Sequence, residues 1–141
     1  MNWAYNLEPV AEMPVRREGI AYASHAYPQK ARPDGNTREA WHGAWQKNWG
    51  FVAEKYPVIA TEIGWVREDG FKSHVPVINN DGNYGPNLVS FMEERGISWT
   101  VWIFDADWSP TMINDWDFTP SEQGEFFRDV MLRAKKDAMG D

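Results

Sequence analysis

Three short, nearly continuous apolar runs, each followed by a helical pattern, restrict most severely the folds open to this chain of 141 residues. Ile20-Ala21-Tyr22-Ala23-Ser24 opens on a β-branched residue and is bounded by Pro28. Pro57-Val58-Ile59-Ala60-Thr61-Glu62-Ile63 is ended by Gly64, and Ile97-Ser98-Trp99-Thr100-Val101-Trp102-Ile103-Phe104 is closed by Asp105. Runs this short and this apolar mark strands buried on both faces, as in parallel sheets. The first intervening pattern predicts a helix over 37–55, with Trp41, Trp45, Trp49, Val52, Ala53 and Tyr56 at three- and four-residue spacings. Asn36 and Glu39 read as its capping box. A second helix over 86–95 turns Leu88, Val89 and Met92 inward and stops at Gly96. The third has Thr119 as cap, Pro120 in its first turn and Glu122 completing the box. Its apolar stripe is Phe126, Phe127, Val130 and Met131, and Lys135 and Lys136 suit its C-terminal end.

Strand then helix, three times over with strand starts at 20, 57 and 97, predicts three right-handed βα units of an α/β protein. Residues 1–19 read as irregular, broken by Pro9 and Pro14, and the whole of 1–141 is short enough for a single domain. Long polar stretches at 66–83 and 105–119 follow the second and third strands. In α/β folds, loops at the carboxyl ends of parallel strands build the active site.

Charge and residue usage narrow the chemistry. With 21 acidic against 14 basic side chains, the net charge of -7 argues against nucleic acid and anionic membrane as partners. No apolar run approaches the roughly 18 residues of a membrane span, and no signal peptide is visible, so the sequence assigns no compartment. Without cysteine there is no thiolate nucleophile and no zinc-thiolate site. His25, His42 and His74 show no metal-ligand spacing, and neither metal nor other cofactor is predicted. Asp105-Ala106-Asp107-Trp108-Ser109 resembles the start of a calcium loop but lacks the glycine and glutamate that complete one, so it reads as a solvated acidic loop. The nine tryptophans divide. Trp41, Trp45 and Trp49 form one helical stripe that reads as packing. Trp65, Trp108 and Trp116 fall in loops predicted to rim a cleft, where their faces suit stacking on sugar rings.

Each strand end places polar groups beside aromatic ones. Alternation puts His25 and Tyr27 on one side, within reach of a common pocket. The second strand holds Thr61 and Glu62; the third presents Trp102, then Asp105, Asp107 and Trp108. Glu62 is the most informative, because a carboxylate in a buried strand costs several kcal/mol unless paired. Two readings stay open: a structural glutamate held by an arginine or tyrosine, and a functional one. Beside a histidine, a tyrosine and tryptophans, a functional glutamate suggests sugar chemistry. A retaining glycosidase needs a nucleophilic carboxylate and, about 5–5.5 Å away, a carboxylic acid that protonates the leaving oxygen.

At this point a resemblance enters. Ser24-His25-Ala26-Tyr27-Pro28, then Tyr56 to Trp65, then Gly96 to Phe104, occur in the order of the last three βα units of glycoside hydrolase family 5, the cellulase-type (β/α)8 retaining enzymes. The stretches 105–113 and 122–127 are similar to bacterial members, and Asn2-Trp3-Ala4-Tyr5-Asn6-Leu7 resembles the segment after the fifth strand. The resemblance covers nearly the whole chain. It implies an α/β fold that is an incomplete, half TIM barrel of three to four parallel βα units. It implies Glu62 as catalytic nucleophile, Tyr27 hydrogen-bonding it, His25 lining the reacting subsite and Trp102 as the platform beneath the sugar. The family's acid/base glutamate sits in an Asn-Glu-Pro motif that these residues do not contain; Asn6-Leu7-Glu8-Pro9 looks like it with one residue inserted.

The reading is a retaining hydrolase of β-1,4-linked glucans, endoglucanase-like, with a β-glucan polysaccharide or oligosaccharide as partner. Its acid/base would be recruited from Asp105 or Asp107, then Glu8 or Glu12, or from a neighbouring copy. The rivals are a non-catalytic carbohydrate-binding or vestigial half-barrel and a fragment that needs its N-terminal half. An unclosed sheet with free edges and an apolar inner face predicts a homo-oligomer whose copies cover one another.

Overall fold

The computed structural model describes residues 4–30, 33–66 and 83–140. Helix α1 (Pro9–Glu12) is followed by strand β1 (Tyr22–His25), helix α2 (Arg38–Asn48), a 3-10 segment (Gly50–Glu54), strand β2 (Val58–Ile63), helix α3 (Tyr84–Glu93), strand β3 (Ser98–Val101) and helix α4 (Glu122–Met139). The strands form one parallel sheet in the order β1-β2-β3. Three parallel strands with intervening helices are a partial TIM barrel, as the sequence predicts. Most of the polar stretch at 66–83, His74 included, lies outside the described residues.

The helices begin and end where local chemistry dictates, with small shifts from the sequence reading. Thr37, not Asn36, caps α2, accepting from Ala40 N–H, while Asn36 Oδ1 accepts the Trp41 indole N–H at 2.7 Å. The predicted helix over 37–55 breaks at Trp49 and continues as the 3-10 segment. Ser121, not Thr119, caps α4, because Thr119 and Pro120 are spent on the preceding loop, pairing with Asn114 and Ile113. The N-terminal stretch is not wholly irregular: Pro9 starts the one-turn α1, where its missing N–H costs nothing.

One face of the sheet carries the core. Val58, Ala60 and Ile63 are buried against Trp45, Leu88, Phe91 and Phe127, and the tryptophan stripe packs inward as its spacing requires. Trp45 stacks on Trp41 at 5.1 Å and meets Phe91 at 5.6 Å, joining α2 to α3. The opposite face differs from expectation. Ala23, Thr61, Ser98 and Thr100 are exposed there and Ile59 is half-buried, so the surface is small and polar rather than apolar. The apolar burial invoked above to drive self-association is therefore absent from this face.

Gly50, the first residue of the 3-10 segment, packs closely against α3. A Cβ there would run into the Phe91 ring tip, and Phe91 is fully buried and has nowhere to go. Gly50→Ala is expected to cost about 1–3 kcal/mol by overpacking. In urea unfolding, Phe91→Leu in the same chain should recover part of that loss, leaving the double variant closer to Phe91→Leu alone than additivity predicts.

Candidate active site

An extra residue in β2 decides where Glu62 points. Ser24 pairs with Ala60, but the next residue of β1, His25, pairs with Glu62; on the other side Ala60 pairs with Trp99 and Ile63 with Val101. The bulge at Thr61 shifts the alternation, so that Ile63 stays in the core and Glu62 leaves it, with 29% of its side chain exposed. The neighbouring strand ends are tied to this point. Ala26 N–H donates to the Glu62 carbonyl at 3.1 Å, and Trp102 N–H donates to the Ile63 carbonyl at 2.8 Å.

The same geometry brings two side chains to the carboxylate. Tyr27 O–H donates to Glu62 Oε2 at 3.1 Å. His25 Nδ1 lies 3.4 Å from that oxygen but outside hydrogen-bond alignment, a buried ring nitrogen without a hydrogen-bond partner among the described residues. Both contacts fall on Oε2; among the described residues, Oε1 accepts no hydrogen bond. Burial, then the charge and hydrogen bond of Glu62, push the Tyr27 phenol well above its ordinary range, so it stays a neutral donor. Behind Tyr27, the buried Tyr84 donates its hydroxyl to the Ala26 carbonyl and fixes the end of β1.

Trp102 follows Thr100 in the alternation, on the open face of the sheet, and its peptide bond to Ile103 is cis. Its ring meets Trp108 edge-on at 6.0 Å. Gln123, only 2% exposed, holds this end together. Its Nε2 donates to the carbonyls of Trp102 at 2.9 Å and Pro110 at 3.0 Å, and its Oε1 accepts Trp65 N–H at 2.9 Å.

The remaining sequence candidates separate. Trp65 is not on a rim: it is 4% exposed, packed among Tyr84, Phe126 and Phe127 at 5.3–5.7 Å, because α3 and α4 close over it. Glu8 is at the wrong end of the sheet. Leu7 N–H donates to the Asn48 carbonyl at the C-terminus of α2, which leads into the start of β2, whereas Glu62 is near that strand's carboxyl end. Glu12, in α1, shares that end. Asp105 Oδ1 accepts the N–H groups of Asp107 at 2.6 Å and Trp108 at 2.9 Å, and Asp107 Oδ2 accepts the Trp116 indole N–H at 3.2 Å. No described contact joins either aspartate to Glu62. Trp108 and Trp116 are 60% and 58% exposed, as loop positions should be.

Sequence reasoning missed Gln123, which no periodicity or motif singles out. It also missed Phe104 and Phe118, exposed and stacked at 6.0 Å; only the position of Phe104 past the last pairing residue hinted at exposure.

Known proteins resemble this chain in sequence and in fold. The sequence profile of Cellulase (glycosyl hydrolase family 5) matches residues 1–107. The native β-glucanase SdGluc5_26A of Saccharophagus degradans is 60% identical over 96% of this chain, with a TM-score of 0.89. The same enzyme in complex with cellotetraose gives 59% identity, 96% coverage and 0.89. This chain spans 40% of the length of each of those two chains. A hyperthermostable endocellulase is 23% identical over 84% of this chain and 33% of its own, with a TM-score of 0.62, a likeness of fold alone. No curated protein matches.

Two measurements check the site's construction. A raised native pKa means the folded chain holds the Tyr27 proton more tightly. The stability from this group is thus intact below about pH 10, the unfolded value, and falls as pH rises above it. Tyrosinate absorbance reached before alkaline unfolding should be unchanged by Tyr27→Phe, while the variant loses part of the alkaline fall in stability. Separately, Gln123→Leu strands one N–H and two carbonyls and is expected to cost about 2–4 kcal/mol in chemical denaturation.

Proposed function

The chain belongs to the cellulase family, glycosyl hydrolase family 5, and on that footing we propose that it carries the nucleophile side of a retaining β-1,4-glucan hydrolase site, endoglucanase-like in substrate. The observation that carries the reading is the bulge that turns Glu62 out of the core and sets both of its contacts on Oε2. That leaves Oε1 to attack the anomeric carbon. As the Oε1–carbon bond forms, the glycosidic bond breaks and its electron pair leaves with the departing oxygen, which takes a proton from a carboxylic acid. Water then attacks the glycosyl–enzyme ester and returns Glu62 as a carboxylate.

Tyr27, held neutral, donates to Oε2 throughout and keeps the carboxylate oriented. His25, 20% exposed, lines the same pocket, with its buried Nδ1 turned toward Oε2. Trp102 forms the floor, and Trp108 stands edge-on beside it. The cellotetraose complex of the Saccharophagus degradans β-glucanase supports a β-glucan oligosaccharide as ligand.

Asp105 and Asp107 remain the acid/base candidates within the described residues, but the first organises a turn and the second orients Trp116. That observation favours a second reading, carbohydrate binding without turnover. An activated substrate separates the two, because a dinitrophenolate leaving group needs no proton. Wild-type chain mixed with dinitrophenyl β-cellobioside should release dinitrophenolate, and Glu62→Gln should lower the rate at least about 10³-fold. Sugar binding with no Glu62-dependent release would establish the binding reading. Reducing-sugar release from soluble cellulose, glucomannan and xylan would then rank the polymers.

A further inference from the structure

Tyr84 opens α3, and its ring is fixed by packing alone. Buried, it meets Trp41, Trp45 and Trp65 edge-on, with centroids 5.6, 6.0 and 5.7 Å away. Gly85 beside it lets the helix close on Trp65; a Cβ there would lie 2.8 Å from that indole. A phenylalanine would make every one of these ring contacts, so packing accounts for the ring and not for the oxygen. That oxygen donates to the Ala26 carbonyl at the end of β1, and the Gly64 N–H, two residues past Glu62, donates back to it. Burial, then the neighbouring Tyr27 phenol, hold the Tyr84 phenol well above its ordinary range against the Gly64 bond, so it stays a neutral donor. One buried hydroxyl thus joins the strand end that carries Tyr27 to the strand end that carries Glu62.

We propose that Tyr84 is a positioning residue for the nucleophile: by holding the peptide between Ala26 and Tyr27, its hydroxyl fixes the direction from which Tyr27 reaches Glu62, without itself touching substrate. This role rests on the reading of Glu62 as nucleophile given above. Ala26 stands between the two side chains that meet Oε2, His25 at 3.4 Å and Tyr27 at 3.1 Å. Both of its backbone groups are spent, the N–H on the Glu62 carbonyl at 3.1 Å and the carbonyl on Tyr84. Strand pairing of β1 stops at His25, so the peptide plane that leads into Tyr27 is set by Tyr84 rather than by the ladder. A tyrosine oxygen stands roughly 6.5 Å from its Cα, so a swing of about 10° moves it by about 1 Å. That movement takes a contact of 3.1 Å out of hydrogen-bond range. Without its donor, the carboxylate is free to turn, and Oε1 turns with it away from the anomeric carbon.

Tyr84→Phe keeps the ring and removes only the oxygen, and its first-turnover release of dinitrophenolate from dinitrophenyl β-cellobioside tests the role. At saturating substrate the rate should fall about tenfold, with the half-saturating concentration unchanged within about twofold. In a Tyr27→Phe background, where the bond to Oε2 is already gone, adding Tyr84→Phe should change the rate by less than about twofold. A hydroxyl that served stability alone would slow both backgrounds equally, and that result would overturn the proposal. Val130→Ala, a core truncation in α4 away from the site, should lower the unfolding midpoint at least as far and leave release unchanged; equal slowing there would also overturn it. A Tyr84→Phe chain too unstable to measure would assign the hydroxyl to folding and sink the positioning role. The crystal structure of Tyr84→Phe reads the same role without turnover: the Tyr27 oxygen should lie beyond hydrogen-bond distance of Oε2, and finding it still at 3.1 Å would refute the proposal. If the wild type shows no Glu62-dependent release, the hydrolase reading falls by itself and that distance alone decides Tyr84.

Discussion

The single inserted residue in β2 is what the rest of the site depends on. Up to Ala60 the strand alternates strictly, and continuing that alternation would send Glu62 into the core among Trp45, Leu88 and Phe127. An unpaired carboxylate there would cost several kcal/mol or be forced to take up a proton. The bulge removes that cost by moving the carboxylate to the cleft, and in the same step returns Ile63 to full burial. Packing and chemistry are thereby served by one backbone irregularity. It also sets the pairing partner, because His25 comes opposite Glu62 only through the shift in register.

Gln123 does for the loops what the bulge does for the strand. One buried amide spends three hydrogen bonds on Trp65, Trp102 and Pro110, so α4 cannot move without moving the ends of β2 and β3. Its neighbours are small for that reason. A Cβ on Gly64 would sit 2.8 Å from the Trp102 carbonyl and 2.9 Å from Gln123 Oε1, and one on Gly124 would run into the Met112 carbonyl. The start of α4 follows. Ser121 is the residue at the junction with Met112, so it takes the cap and Thr119 belongs to the loop. A buried polar group with every bond made contributes rigidity that an apolar residue of the same volume would not.

Where period alone carries the information, the sequence was legible. The three strands, the inward tryptophan stripe of α2 and the stop at Gly96 follow from spacing and from a residue at positive φ. The convergence of His25, Tyr27 and Glu62 was legible through the resemblance and through strand-end position, but the reason for it was not, since a bulge shows only in cross-strand register. Trp65 was misplaced because a residue just past a glycine reads as loop, and nothing local reveals that two helices meet over it. Glu8 failed differently: its stretch resembles the family motif only with one residue inserted, and the bond from Leu7 to the end of α2 puts it at the amino end of the sheet. The polarity of the open face was in view all along, in Thr61, Ser98 and Thr100, yet runs judged by overall hydropathy conceal which face each residue takes.

The tryptophans expose the same division between packing and display, and the physical difference is where each indole N–H goes. Trp41 spends its N–H on Asn36 at the mouth of α2 and buries its ring, whereas Trp116 spends its N–H on Asp107 and leaves its ring in water. A bond to an exposed carboxylate does not help to bury an indole; it fixes the plane in which the ring is shown. Trp45 finds no partner for its buried N–H among the described residues and is held by close aromatic packing on Trp41 and Phe91. A ring that is hydrogen-bonded yet exposed thus retains apolar area that a core tryptophan has already spent, and only such a ring can gain by meeting a ligand. By that criterion Trp108 and Trp116 stand with Phe104 and Phe118 on the displayed side, and Trp65 belongs with the helix stripe.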